Sequence, residues 1–262
     1  MRQDPVESRE PPWCRFTCEI PVLGHMLDPQ GRLYVHRLQE LFQELGYRAS
    51  AERGLDVRWY AAHHRGWLMR HVKVSVSLWP CGERLLRGQT WVCLFAGARS
   101  ARVYQLWDAE QERLLLEAEV EWVFVDLERR RPVEIPHTIS RAFEPLGPSL
   151  RLPLPPEPPE GEVINHKPWV VGYTDLDAYG HVNNVRWVAW WTEHAHQLGL
   201  EGVPDRWWLQ FYRPAQDGEQ LRACSVCVAA PGLGRFWRWL VRGSGEQPYV
   251  ELRAMWLKSQ GG

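Results

Sequence analysis

Tyr173-Thr-Asp-Leu-Asp-Ala-Tyr-Gly-His-Val-Asn-Asn-Val-Arg-Trp187 is the stretch whose reading decides the fold. It begins where a Val/Ile/Trp-bearing segment, Val163 to Gly172, runs out, and it ends inside an amphipathic pattern that continues to Gly199. Two acids (Asp175, Asp177), a turn glycine (Gly180), a histidine (His181) and two asparagines (Asn183, Asn184) crowd into it. Such a sequence predicts a strand running through a polar turn into the N-terminus of a helix. Asn183 or Asn184 suits the cap, because a side-chain oxygen there accepts an orphan N–H of the first turn. The free N–H groups and positive dipole end of a helix start can stabilise an oxyanion or polarise a carbonyl.

Working outward, the helix is expected over Val182–Leu198, followed by strands at Trp207–Tyr212, Leu221–Ala229, Phe236–Val241 and Tyr249–Leu257. The first half shows the same plan. A strand, Phe16–Leu23, and a turn-rich link, Gly24–Gly31, lead to a helix over Leu33–Leu45. Leu38, Leu41/Phe42 and Leu45 give that helix one apolar stripe, and Gly46 is its expected C-cap. Strand-like runs follow at Val57–Ala61, Trp67–Trp79, Gln89–Ala96, Ala101–Trp107 and Leu114–Leu127. Within them, His71-Val-Lys-Val-Ser-Val-Ser-Leu78 has the period of two of a half-buried strand. Ten of the 20 prolines fall between Pro132 and Pro168. Proline lacks an amide donor and locks φ, so this segment reads as a stiff, extended connector. The expected organisation is a flexible leader (1–12), an N-terminal unit (13–136), a Pro-rich linker (137–162) and a C-terminal unit (163–262). The fold class is α+β, with two tandem units, each a long helix wrapped by an antiparallel sheet.

The run Asp175-Leu-Asp177-Ala-Tyr-Gly180-His181-Val-Asn183-Asn184 resembles the D-x-D-x-x-G-H-V-N-N signature of hotdog-fold thioesterases. The wider chain resembles the acyl-acyl-carrier-protein thioesterases, which fuse two hotdog units. Trp67-Leu-Met-Arg-His-Val-Lys-Val, Trp79-Pro-Cys-Gly-Glu83 and Trp122-Val-Phe-Val-Asp-Leu-Glu-Arg-Arg-Arg-Pro-Val-Glu-Ile-Pro136 are similar to segments of that family's first unit. The resemblance implies that Asp177 is general base or nucleophile, with His181 and Tyr179 beside it as further catalytic candidates. Gly180, Asn183, Asn184 and Trp187 are the substrate-binding candidates, and Asp175 is an anchor for the loop. An acyl chain would lie between helix and sheet, where Trp187, Trp190 and Trp191 set its length. The first half lacks the signature, so one reactive site per chain is expected.

The chain departs from the plant enzymes in two places. They carry asparagine where Tyr179 stands, and a Tyr-Arg-Arg-Glu-Cys run where Phe211-Tyr212-Arg213-Pro214-Ala215 stands. The remaining Asp177/His181 pair is more similar to the single-unit 4-hydroxybenzoyl-CoA-type enzymes. The substrate implied is a fatty acyl thioester of acyl carrier protein, with a CoA thioester as alternative donor. A non-catalytic acyl-binding protein is the rival class, with a hotdog dehydratase or hydratase as a second rival.

Composition narrows the partners further. A formal charge of −1 disfavours bulk binding to nucleic acid. The three arginines Arg129-Arg130-Arg131 form a local basic run that could touch an acidic carrier. No apolar run approaches the roughly 18 residues of a membrane helix, so no membrane insertion and a cytoplasmic location are expected. Six cysteines (14, 18, 81, 93, 224, 227) are scattered, and Cys224 and Cys227 point to opposite faces of a strand. His194 and His196, two apart on a helix, do not share a face. No metal and no cofactor are therefore expected, and homodimer formation is left open. The G-x-S-x-G elbow, the P-loop and the H-E-x-x-H motif are all missing.

Overall fold

The computed structural model describes residues 13, 15–200, 202–230, 234–245 and 247–257. The expected leader and Cys14 lie outside the described residues. In the first half, β1 (Phe16–Val22) leads through a 3-10 turn (Gly24–Met26) into α1 (Val35–Ala51) and a short α2 (Val57–Ala62). Then come β2 (Arg65–Val76), β3 (Arg84–Ala96), β4 (Arg99–Asp108), β5 (Arg113–Asp126) and β6 (Arg131–Pro132). After α3 (His137–Arg141), the second half contains β7 (Val163–Asn165), β8 (Trp169–Val170) and a second 3-10 turn (Tyr173–Asp175). It continues with α4 (Asn184–Gln197), β9 (Arg206–Phe211), β10 (Gln220–Ala230), β11 (Gly234–Arg242) and β12 (Pro248–Trp256).

The strands form one antiparallel sheet in the order β1-β3-β4-β5-β2-β9-β12-β11-β10-β7, with β6 also on β5 and β8 also on β10. The halves join where β2 pairs with β9, from His71 opposite Gln210 to Ser75 opposite Arg206. At this seam Val72 faces Leu209 and Val74 faces Trp207, and all four are buried. Helix α1 turns Leu38, Leu41, Phe42 and Leu45 inward, while α4 turns in Val185, Trp187, Val188 and Trp191. The two helices pack on each other, so a single apolar core runs through both halves. Each helix is wrapped by its own half of the sheet, as the tandem hotdog expectation requires. Trp187, Trp191, Trp237 and Trp239 are among the largest fully buried side chains. Truncating a ring of this kind to Ala typically costs about 3–5 kcal/mol.

Four local expectations are corrected. Val57–Ala61 is not a strand but part of α2, because the Asp56 carboxylate accepts the Trp59 N–H at 2.9 Å and starts a helix there. Gly46 does not end α1, which continues to Ala51. Its missing side chain instead admits the Tyr104 hydroxyl, which a Cβ would meet at 3.0 Å. Val163–Gly172 is broken into β7 and β8, with Pro168 unable to donate to the ladder between them. The linker starts with α3 and is then tied to the sheet as it crosses from one half to the other. Gly147 N–H donates to Val92 O at 3.0 Å, Trp91 Nε1 to Pro148 O at 2.9 Å, and Ser149 Oγ to Glu119 at 2.7 Å. Farther along, Glu157 pairs with Arg253 at 2.7 Å.

The two histidines two apart on α4 have opposite fates, His194 buried and His196 exposed. His194 stacks on His166 with ring centroids 4.0 Å apart, and its Nδ1 accepts the Trp239 indole N–H at 2.9 Å. Tryptophan can only donate, so His194 is neutral with its proton on Nε2. Burial, with His166 adding to it, pushes the His194 imidazole down to about 4. The unfolded chain therefore binds more protons below the ordinary histidine pKa, and stability is lost as pH falls. Urea unfolding should show a loss of up to ~3 kcal/mol between about pH 6.5 and 4. His194→Gln should flatten that part of the profile; an unchanged profile would contradict the assignment.

Candidate active site

The site loop is built by backbone hydrogen bonds before any side chain acts. The Tyr173–Asp175 turn is closed at its start by the Asp175 carboxylate, which accepts the Gly172 N–H at 2.9 Å. The other oxygen of Asp175 accepts Arg186 Nε from α4 at 2.8 Å. Asp175 is buried, and it locks the loop to the helix. Beyond it, Leu176 bridges Val182, and the tip between them is a turn closed by Asp177 N–H to His181 O at 2.7 Å. Gly180 sits at φ +74°, a left-handed conformation that favours glycine. Asn183 caps α4, its side chain accepting the Val185 N–H at 3.0 Å, and Asn184 is the first helical residue.

Asp177 is clamped on one side only. Its Oδ1 accepts the backbone N–H of Tyr179 at 2.8 Å and of His181 at 3.3 Å. Among the described residues, no donor engages its Oδ2. The contact with His181 runs through the main chain and not the imidazole. Tyr179 is half-exposed and reaches across to the first half of the chain. A Cβ on Gly66 of β2 would stand 3.4 Å from the Tyr179 hydroxyl and 3.2 Å from a Leu127 methyl, so a larger residue there would have to push these side chains back by a few tenths of an ångström. From α1, Gln43 and Tyr47 line an open groove of about 470 Å³ together with Thr174, Leu176 and Asn183. Partial burial raises the Tyr179 phenol, with Tyr47 and then Asp177 adding to it. Partial burial and the charge of Asp177 likewise raise the Tyr47 phenol. Both hydroxyls are therefore proton donors at neutral pH.

The candidates are thus distributed unevenly. Asp177, Tyr179, Gly180 and His181 form the loop tip, and Asn183 and Asn184 start the helix behind it. Trp187 lies in the core, edge-on to Trp190 and stacked near Tyr249. Trp191 is equally buried, against Trp207 and Trp237. The segment aligned with the plant Glu-Cys run does touch the loop, since Val182 N–H donates to Ala215 O at 2.9 Å. Ala215 is fully buried and offers no reactive group. Sequence spacing had no means of finding Tyr47, Gly66 and Leu127, which come from the other half of the chain. Among the described residues, no cluster of three or more His, Cys, Asp or Glu could hold a metal, and no helix is long and apolar enough to cross a membrane.

The first half contains a copy of this loop. Leu27 bridges Leu33, Asp28 N–H donates to Arg32 O at 2.7 Å, and Gly31 sits at φ +75°. Asp28 Oδ1 accepts the N–H groups of Gln30 at 2.9 Å and Arg32 at 2.8 Å. Leu33 N–H donates to Pro80 O at 2.9 Å, as Val182 does to Ala215. The copies differ at the second carboxylate oxygen. Arg32, at the position of His181, places its Nε 2.8 Å from Asp28 Oδ2 and occupies it.

Because both oxygens of Asp175 are used, Asp175→Ala should destabilise the chain by about 1–3 kcal/mol. Urea unfolding checks this; a change below 0.5 kcal/mol, the usual range for surface substitutions, would mean that Asp175 is not what anchors the loop.

The comparisons with known proteins agree with this architecture. The family model for the acyl-ACP thioesterase N-terminal domain matches residues 14–143, and that for the acyl-ACP thioesterase C-terminal domain matches residues 160–248. No curated protein sequence matches the chain. Among solved structures, the chain is similar to a 12:0-ACP thioesterase from Umbellularia californica, at 16% identity and TM-score 0.78 over 93% of this chain and 94% of that one. It is similar also to an acyl-ACP thioesterase from Bacteroides thetaiotaomicron, at 16% identity and TM-score 0.75 over 92% and 97%. At that identity the structures speak for the shared fold, while the two family models together account for most of the length: the chain belongs to the acyl-ACP thioesterase family of thioester hydrolases.

Proposed function

We propose that the chain hydrolyses a fatty acyl thioester of acyl carrier protein, with Asp177 as the reacting carboxylate. One observation carries the assignment. Asp177 Oδ1 is held by two backbone N–H groups while Oδ2 is engaged by none of the described residues. A carboxylate fixed in direction with one oxygen open is what a general base or nucleophile requires. As base, Oδ2 takes a proton from water, the resulting hydroxide adds to the thioester carbonyl, and the tetrahedral intermediate expels the thiolate. The thiolate takes that proton back from Asp177 and leaves as carrier thiol, which returns Asp177 to its ionised form, and the fatty acid is released. The Tyr179 hydroxyl and the His181 ring, on the same loop tip, are the groups that would donate to the carbonyl oxygen. Family membership favours acyl carrier protein over CoA as the donor.

The test is free-thiol release from acyl-carrier-protein and acyl-CoA thioesters, with wild type beside Asp177→Asn. The substitution keeps the shape and an acceptor for the two N–H groups but removes the base. It should lower kcat about 10²- to 10⁴-fold. Turnover that survives the substitution would move the chemistry to another residue. No turnover by the wild type on any thioester would favour the acyl-binding reading, which Pro214 and Ala215 in place of the plant Glu and Cys, together with Tyr179, motivate.

A further inference from the structure

Three arginines beside the loop tip have no role in the chemistry above. Arg129, Arg130 and Arg131 follow β5 and turn the chain into β6, with Arg130 in the left-handed region at φ 51°. All three are exposed. Their guanidinium groups make no ion pair or hydrogen bond with any described residue. Two carboxylates stand in the same turn, and neither forms an ion pair with a guanidinium of the run. Asp126 pairs with Arg65 at 3.0 Å and accepts the Arg129 backbone N–H at 2.8 Å, while Glu128 lies 3.5 Å from His64 Nδ1. The turn is also next to the site. Leu127, two residues before Arg129, shares the space over Gly66 with the Tyr179 hydroxyl. A chain with a formal charge of −1 thus holds a local run of three exposed arginines beside its candidate reactive loop.

We propose that the Arg129–Arg131 turn is the docking surface for an acidic carrier protein, an inference that rests on the carrier-thioesterase reading of Asp177. A protein surface suits this patch better than one phosphate group. Arg129 and Arg130 lie in the turn and Arg131 opens β6, all three exposed, and among the described residues no hydrogen bond aims them at a common point. None of them lines the groove beside the loop. Spread charge of one sign steers a partner of opposite sign and orients it, and exposed arginines pair with carboxylates in two-point contacts. Docking there would bring the carrier's prosthetic arm to the loop across Gly66 and Tyr179.

The experiment compares wild type with R129A/R130A/R131A on an acyl-carrier-protein thioester, the matching acyl-CoA and the matching acyl-N-acetylcysteamine thioester, from low to high salt. The side chains are exposed, so an unchanged thermal midpoint is expected and is measured alongside. At low salt, kcat/KM on the carrier substrate should fall about tenfold or more and lose most of its salt dependence. The acetylcysteamine thioester, which carries neither protein nor phosphate, should be hydrolysed equally by both proteins. Unchanged turnover of the carrier substrate would overturn the proposal. So would an equal loss on all three thioesters, which would mean that the turn acts on the site itself. A matching loss on acyl-CoA alone of the two small thioesters would assign the turn to phosphate recognition and overturn the carrier surface. If the wild type hydrolyses nothing, the Asp177 reading fails separately, and anisotropy of a labelled holo carrier protein still decides the surface. Tighter binding by wild type than by the variant supports it; equal binding, or none, refutes it.

Discussion

Five residue pairs between β2 and β9 hold this molecule together as one body. Without them each half would end in an unpaired strand, and an open edge of that kind is a template for aggregation. The seam also decides where the two halves meet around the candidate site. Gly66 belongs to β2, Leu127 follows β5 beside it, and Tyr179 arrives from the second half of the chain. The apolar residues behind the ladder, Val72 and Val74 against Leu209 and Trp207, keep water out of it. The same pairing that joins the two halves of the sheet therefore also brings the loop's surroundings together.

What sequence could and could not disclose follows from the range of each signal. Periodicity and capping are local, so α4, a cap at Asn183 or Asn184 and the placing of His194 and His196 on different faces were legible. Val57–Ala61 was not, because five residues are too few to separate a period of two from one of 3.6. There the Asp56 cap decides. The break at Pro168 and the continuation of α1 through Gly46 turn on one missing N–H and one missing Cβ, whose consequences depend on partners far away in the chain. Tyr47, Gly66 and Leu127 carry no motif at all. They matter because of contacts across the seam, and no spacing within either half encodes those.

The linker shows the same division. Its prolines announce a segment that cannot join the sheet as a central strand. They do not announce that Trp91, Glu119 and Arg253 bind it down on the way across. A tether that is fastened at several points restricts how the halves can separate, and it places the start of β7 against β10.

The paired loops around Asp28 and Asp177 have a consequence for how such a chain can change over generations. In an assembly of two identical subunits, one stretch of gene writes both loops, and a substitution in one is a substitution in the other. Joining the copies end to end removes that bond of inheritance. Each loop can then differ: one leaves a carboxylate oxygen open, while the other closes its carboxylate with Arg32 and becomes part of the scaffold. The two loops share turn, glycine and N–H clamp and differ in arginine against histidine at one position, a difference that only separately encoded loops permit.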